Sequence, residues 1–427
     1  MFLCAVLYEY LLTMKNRKLA LYLQQKSQSK FGRILVLTGA RQTGKTTLVK
    51  EIFPNYSYIS IEDPVNRLTY LTLNAQQWAN LYPNALLDEI QKEPVLIESI
   101  KATYDQFEEP RYVLLGSSQL LLMEKVRESL AGRCSIIELF PLTLPELKTK
   151  NWNEPVSDSL FQQFIRNEEN DFLPSFLLDK KRTDKISAYS HYLKYGGLPA
   201  ISEDDSNDNE KFDWLRNYVR TYLERDIRDL ASFRDLEPFI KLQQYIALNT
   251  ANLINASSIA NQLGINIKTV QRYIKYFEIS YQAIVLPAWS NNQNKRLVKS
   301  SKVHYIDYGL IQAILHKRGG MTGNEYESAI VAEIYKQIKN EQSPAQFSFL
   351  RTHDGKEVDL LLEFATHYYA FEIKMANKVT RIDAKHLFGL EEILDKPVKK
   401  AFLLSNDEET KYFDDKTVAI HAAMFLG

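Results

Sequence analysis

The chain of 427 residues carries 53 basic and 53 acidic side chains, a formal net charge of zero. That length exceeds what one hydrophobic core usually organises, so two to four domains are expected, and the ordinary apolar content argues against a disordered chain. Charge balance removes any global pull towards nucleic acid, so such a contact has to come from a local patch.

Cys4 and Cys134, the two cysteines, lie far apart in sequence. They suggest neither a metal cluster nor a disulfide framework, which agrees with a reducing, cytoplasmic setting. The apolar run from Met1 to Leu12 is interrupted by Glu9, has no basic flank before it and is too short to span a bilayer, so it reads as no signal peptide. Met14, ahead of Lys15, Asn16, Arg17 and Lys18, is an alternative start.

A helix predicted near residues 18–26 precedes an apolar strand, Ile34 to Leu37. That strand runs into Gly39, Ala40, Arg41, Gln42, Thr43, Gly44, Lys45 and Thr46, with Thr47, Leu48 and Val49 continuing as a helix. Strand, glycine-rich turn and helix in this order form a phosphate-binding loop. The glycines let backbone N–H groups close on an anion at a helix N-terminus; Lys45 would reach the β- and γ-phosphates of ATP and Thr46 would give its hydroxyl to Mg²⁺. A second strand is expected over 56–61. The acids after it, Glu62 and Asp63, could meet metal or water, or cap a helix. Asn84 to Asp88 with Glu89 is a short apolar strand ending in two acids, in which Asp88 would hold Mg²⁺ and Glu89 would polarise the attacking water. At the tip of the next strand, over 111–118, Ser117 or Ser118 could sense the γ-phosphate, or the pair could simply make the turn. Arg133, or alternatively Arg127, could act on a neighbouring copy's nucleotide or serve as a surface ion pair.

The segment 148–187 is weakly periodic, and the acidic run 202–210 reads as a solvated loop between helices. From about 236 the pattern becomes helix, helix, Gly264-containing turn and helix, followed by two strands around the polar tip 290–294, the plan of a helix-turn-helix with a wing. Lys268, Arg272, Lys275, Lys295, Arg296, Lys299 and Lys302 gather there as a candidate phosphate-backbone footprint for DNA; a protein-docking surface would share that composition. In the last part, a helix near 325–335 precedes strands over 346–352, 357–364 and 368–375. Val358, Leu360 and Leu362 are expected on one face with Asp359 on the other, and Glu372 and Lys374 point to one side. Asp359, Glu372 and Lys374 then form a PD-(D/E)xK arrangement, with Asp359 and Glu372 as Mg²⁺ ligands, Lys374 on the water and Glu327 added from the helix. A salt-bridged cluster without activity would contain the same residues.

Taken together, residues 39–46, Leu87 to Gln91, Gly116 to Ser118, Leu130 to Arg133, Tyr195 to Pro199, Tyr222 to Asp226, Tyr305 to Gly309 and Gly323 to Glu327 resemble the prokaryotic AAA+-like ATPases that carry a winged-helix segment and a C-terminal domain like restriction endonucleases. The resemblance covers nearly the whole chain. It implies an α/β fold with a P-loop ATPase core over 1–148, a helical lid and connecting segment over 149–235, a winged helix-turn-helix over 236–318 and a smaller endonuclease-like domain over 319–427. Arg225 and Arg228 become candidates for contacting phosphates from the lid. The activity expected is ATP hydrolysis controlling a DNA-engaging half; an ATP-gated nuclease and a non-cutting scaffold for DNA or protein are the alternatives. Partners expected are ATP, DNA and further copies of the chain, and no membrane.

Overall fold

The computed structural model describes residues 14–116, 126, 128–166, 173, 176–202, 206–223, 235–292 and 300–427. Ser117, Ser118, Arg127, Arg225, Arg228, Lys295, Arg296 and Lys299 lie outside them.

Strands β1 (Ile34–Thr38), β2 (Ser57–Ser60), β3 (Asn84–Asp88), β4 (Arg111–Gly116) and β5 (Cys134–Glu138) form a five-stranded parallel sheet in the order β2-β3-β4-β1-β5. β1 is buried along its whole length because both faces are covered. Ile34 and Val36 enter one core with Trp78, Ile97 and Ile100. Leu35 and Leu37 enter the opposite core with Leu19, Leu23, Leu48 and Val49. This alternation fixes the strand's register between two helical layers and brings the carboxyl ends of β1 and β3, separated only by β4, to one edge, where open α/β sheets place ligands.

The acidic run is only partly a loop. Asn207 and Glu210 form a capping box on the helix Asp208–Tyr218, whose first turn carries Asp208 and Glu210; negative charge there complements the helix dipole. Asp63 likewise caps a helix, accepting from Val65 N. Helices Glu237–Leu248, Ala256–Leu263 and Ile267–Ile279 follow, with Gly264 left-handed at φ 65° between the last two. Then β6 (Ala283–Leu286) and β7 (Lys302–Tyr305) pair antiparallel.

The C-terminal part sets the helix Gly323–Asn340 against a six-stranded mixed sheet. Its strands are β8 (Gln346–Arg351), β9 (Glu357–Glu363), β10 (Tyr368–Ile373), β11 (Val398–Ser405), β12 (Lys411–Tyr412) and β13 (Thr417–His421), in the order β12-β13-β11-β10-β9-β8. The expected single apolar face of β9 is corrected: Leu360 and Leu362 enter one core, whereas Val358 packs with Leu361 in another. The sheet is buried on both sides, and the β8–β9 register shifts between Ser348 and Leu350, which breaks simple alternation.

The largest core runs through all these parts. Phe140 and Leu142, just after β5, share it with Tyr192, Leu198, Ile246, Phe277, Ile330, Phe371 and Phe425. The phosphate-loop sheet is therefore packed directly on the rest of the chain.

Candidate functional site

Gly39 and Gly44 have φ of 148° and 87°, and a Cβ on Gly39 would lie 2.1 Å from the Leu139 carbonyl oxygen, so only glycine lets the loop pass the end of β5. Gln42 is left-handed at φ 60°. The Thr43 hydroxyl donates to Ala40 O at 2.8 Å. Lys45 is 8% exposed and folds back, Nζ donating to the carbonyls of Gly39 and Ala40 at 2.8 Å each. Thr46 Oγ1 and the Tyr58 hydroxyl both donate to Asp88 Oδ2, at 2.7 and 2.9 Å. Glu89 is left-handed at φ 57°, an uncommon conformation for a residue with a Cβ, and its carboxylate accepts from Gln91 Nε2 at 2.5 Å. Lys45, Thr46, Asp88 and Glu89 are thus brought to the same end of the sheet.

The Thr46 hydroxyl and Asp88 carboxylate, already in contact, are hard oxygen donors that fit Mg²⁺, a cation that keeps several waters and needs few protein ligands. Among the described residues no group of three or more His, Cys, Asp or Glu could hold a metal, so the remaining ligands would come from nucleotide and water. A cavity of about 310 Å³ lies against the loop, lined by Met14, Thr47, Leu48, Leu142, Trp152 and Pro199 among others.

Arg133 sits at the far edge. It precedes β5, whose Cys134 is level with Ile34 at the start of β1, and its guanidinium holds Asp105 at 2.7 and 3.1 Å. Parallel pairing puts that end of β5 opposite the phosphate loop, so Arg133 does not reach its own chain's loop.

Several supports escaped the sequence reading. Arg17, which the sequence presents only as one of the residues following Met14, is 6% exposed and clasps the loop from behind. It donates to Thr43 O at 2.8 Å and Phe140 O at 2.5 Å and pairs with Glu146 at 3.2 Å. The Tyr281 hydroxyl lies 2.7 Å from Thr38 Oγ1, and Tyr218 donates to Arg41 O at 3.0 Å. Asp307 accepts from Gly197 N at 2.6 Å and Gly309 N at 2.9 Å. A Cβ on Gly196 would meet its Oδ1 at 1.8 Å. The two glycine motifs around 196 and 309 are therefore the halves of one clasp, and burial pushes the Asp307 carboxyl up to about 6.

The C-terminal candidates also converge. Glu327, Asp359, Glu372 and Lys374 line one cavity of about 560 Å³. Lys374 Nζ pairs with Glu372 Oε1 at 2.7 Å, and Ile373 N donates to Asp359 Oδ2 at 2.8 Å. Lys302, expected on an exposed wing, is instead 3% exposed. Its Nζ lies 3.0 Å from Glu327, 2.9 Å from Glu357 and 3.8 Å from Asp359. These carboxylates hold the Lys302 ammonium charged despite burial, whereas burial and then the Asp359 charge push Glu327 and Glu372 well above the usual carboxylate range. With an ammonium in the carboxylate nest, this donor set does not fit a resident divalent cation. Sequence alternation could not reveal Lys302, because the partners lie on β9 and on the helix Gly323–Asn340.

On the helix Ile267–Ile279, Lys268, Arg272 and Lys275 are exposed. Their spacing sets them along one face, and Lys275 pairs with Glu278 at 2.5 Å.

Residues 32–148 match the family described as AAA domain, and residues 186–319 and 322–425 match two domains of unknown function, DUF8612 and DUF4143. Joined to the phosphate-loop geometry and the parallel sheet, the first match makes the N-terminal part an AAA+-like P-loop ATPase. An uncharacterized protein of Mycobacterium tuberculosis is 25% identical over 352 residues, 80% of this chain and 70% of its own length. Another, from Methanocaldococcus jannaschii, is 26% identical over 295 residues, 64% and 60% of the two chains. A Walker-type ATPase of Pyrococcus abyssi is similar with a TM-score of 0.45 and 13% identity, covering 69% of this chain and 95% of that one. Among the described residues no helix is long and apolar enough to cross a membrane.

Proposed function

We propose that this ATPase works with Mg²⁺ at residues Gly39 to Thr47 and that its nucleotide state controls a DNA-engaging C-terminal half. The observation that carries the coupling is the Tyr281–Thr38 hydrogen bond of 2.7 Å, which ties the residue before the phosphate loop to the segment entering β6. In this reading Lys45 exchanges the Gly39 and Ala40 carbonyls for the β- and γ-phosphates. Thr46 and Asp88 would hold Mg²⁺, which would neutralise charge on the phosphate oxygens. Glu89 orients the attacking water and takes up its proton. The cavity beside Trp152 and Leu142 would seat the base, and Arg133 would act only from a neighbouring copy. γ-Phosphate contacts are the differential interaction that can bias two arrangements of the chain.

The functional units are read as ATPase core 1–148, lid and connector 149–235, winged helix 236–318 and endonuclease-like part 319–427. Lys268, Arg272 and Lys275, extended by Lys295 and Arg296, would meet DNA phosphates; Lys302 is removed from that footprint by its burial. The test is ATP turnover together with DNA affinity at several nucleotide states. Lys45→Ala should lower turnover by about 10²-fold or more and abolish the dependence of DNA affinity on nucleotide, while Glu89→Gln should bind ATP but turn it over slowly. Parent-like turnover in Lys45→Ala would sink the proposal.

A second reading, a nuclease, is favoured by the meeting of Asp359, Glu372, Lys374 and Glu327 in one cavity. Metal-dependent cleavage of DNA by the parent, absent in Asp359→Ala, would establish it. Intact ATP turnover without cleavage would leave a binding platform.

A further inference from the structure

β2 closes one edge of the phosphate-loop sheet, and its neighbouring side chains point to opposite faces. Ile59 enters the core with Trp78. Tyr58, 42% exposed, turns to the other face, where Lys50 of the helix Lys45–Ile52 sets its ammonium 3.4 Å from the ring centroid, a cation–π contact. Ser60, not Tyr58, is level with Asp88, so the tyrosine has to reach along the strand, two residues of about 3.3 Å each, to bring a hydroxyl to that acid. It does so: the hydroxyl donates to Asp88 Oδ2 at 2.9 Å, the oxygen that also takes the Thr46 hydroxyl at 2.7 Å, while Oδ1 accepts from Glu89 N at 3.0 Å. Tyr58 is thus joined to both walls of the site, through its ring to the helix that bears Thr46 and through its hydroxyl to the strand that bears Asp88.

We propose that Tyr58 is a positioning residue of the Mg²⁺–ATP site that acts through Asp88, holding the carboxylate in one orientation before metal and nucleotide arrive. Held by Thr46 and its own strand alone, the carboxylate could turn about its side-chain bonds, and ordering it would then be charged against binding. The tyrosine removes that freedom in advance. A carboxylate accepts about four hydrogen bonds; with the three donors in place, about one position stays open towards the site. Outer partners that orient a metal-holding carboxylate commonly govern metal affinity by about 10–100-fold. The inference rests on the reading of Thr46 and Asp88 as the residues that hold Mg²⁺. It adds that Tyr58 serves the metal and not the nucleotide, so nucleotide affinity without metal should not depend on its hydroxyl.

The experiment measures the affinity of the full chain for a fluorescent, non-hydrolysable ATP analogue in excess Mg²⁺ and in EDTA, for the parent, Tyr58→Phe, Asp88→Asn and the double variant. Phenylalanine keeps the ring under Lys50 at a partly exposed edge position, so the fold survives loss of the hydroxyl. In Tyr58→Phe the enhancement of affinity by Mg²⁺ should fall by about tenfold, while affinity in EDTA stays within about twofold of the parent. The double variant should lose no more enhancement than Asp88→Asn alone, because the hydroxyl acts through that carboxylate. Equal losses in Mg²⁺ and EDTA would give Tyr58 a purely structural role and overturn the proposal, as would an unchanged enhancement in Tyr58→Phe or losses that add in the double variant. Asp88→Asn keeps the two layers apart: an enhancement unchanged in that variant would bring down the metal reading of Asp88 itself, whereas its loss there and survival in Tyr58→Phe would bring down the positioning role alone.

Discussion

Arg17 gives the sharpest test of how the phosphate loop is held. Arg17→Met keeps much of the aliphatic stem and deletes the guanidinium that binds Thr43 O, Phe140 O and Glu146. Glu146 is fully buried and retains N–H donors from Lys18 and Thr143, each at 2.8 Å, but it loses its cation. Removing one partner of a buried ion pair costs about 3–5 kcal/mol, most of it from the charge left behind. For a unit the size of the N-terminal part this corresponds to a melting temperature lower by about 6–20 °C. The assay is thermal unfolding of Arg17→Met, Glu146→Gln and the double variant, with ATP affinity measured alongside. If the orphaned carboxylate is the main cost, the double variant should recover a large part of the stability lost in Arg17→Met, a coupling of about 1–3 kcal/mol. ATP affinity should stay depressed in both, because the Thr43 carbonyl is still unsupported. A loss below about 1 kcal/mol in Arg17→Met, or a double variant as unstable as the two losses added, would refute this account of the loop.

Other expectations follow from the same packing. Tyr281→Phe removes one buried hydroxyl from Thr38 and should lower stability by about 1–2 kcal/mol, with a larger proportional effect on nucleotide-dependent DNA affinity than on ATP turnover; equal effects on both would argue against a coupling role. His304 is fully buried with neither ring nitrogen partnered, and burial lowers its pKa to about 3. In the unfolded chain it takes a proton near pH 6.5, so its contribution is present above that pH and is lost as pH falls towards 3. Between pH 6.5 and 5 the parent should lose about 2 kcal/mol that His304→Leu does not, which chemical denaturation at the two pH values can check. Replacing Lys268, Arg272 and Lys275 by alanine should lower the salt slope of DNA binding by about 1 for each phosphate contact removed; an unchanged slope would remove this face from the interface.

Much of the phosphate-loop site is legible in sequence because it is local: Gly39 to Thr46 are contiguous, and Asp88 and Glu89 end an apolar strand. What holds it is not local. Arg17 reaches Glu146, and Tyr281 reaches Thr38 across more than two hundred residues, and neither residue type in isolation signals burial. Asp359, Glu372 and Lys374 were found by strand alternation, yet that pattern was silent about Lys302, whose meaning depends on which elements pack together. Strand β13 is as buried as β1, and β11 is buried except at Lys399 and Lys400, but they follow a segment of short 3₁₀ turns with no periodicity to announce them. Arg133 shows the converse: its place in sequence suggested contact with a neighbouring copy's nucleotide, and the parallel sheet sets it at the end of β5 opposite its own phosphate loop, which bears on its own loop and leaves the neighbour's open to test.

The β6–β7 hairpin has one end beside the phosphate loop and the other in the acidic cavity. Tyr281, two residues before β6, touches Thr38, while Leu286 on β6 pairs with Lys302 on β7. Beyond β6 the chain is sewn to the C-terminal sheet by Phe349, which donates to Pro287 O and accepts from Trp289 N. A hairpin fastened at both ends carries a thermodynamic obligation: under the proposed coupling, whatever factor nucleotide imposes on the affinity of a ligand held by the C-terminal sheet, that ligand must impose on nucleotide affinity.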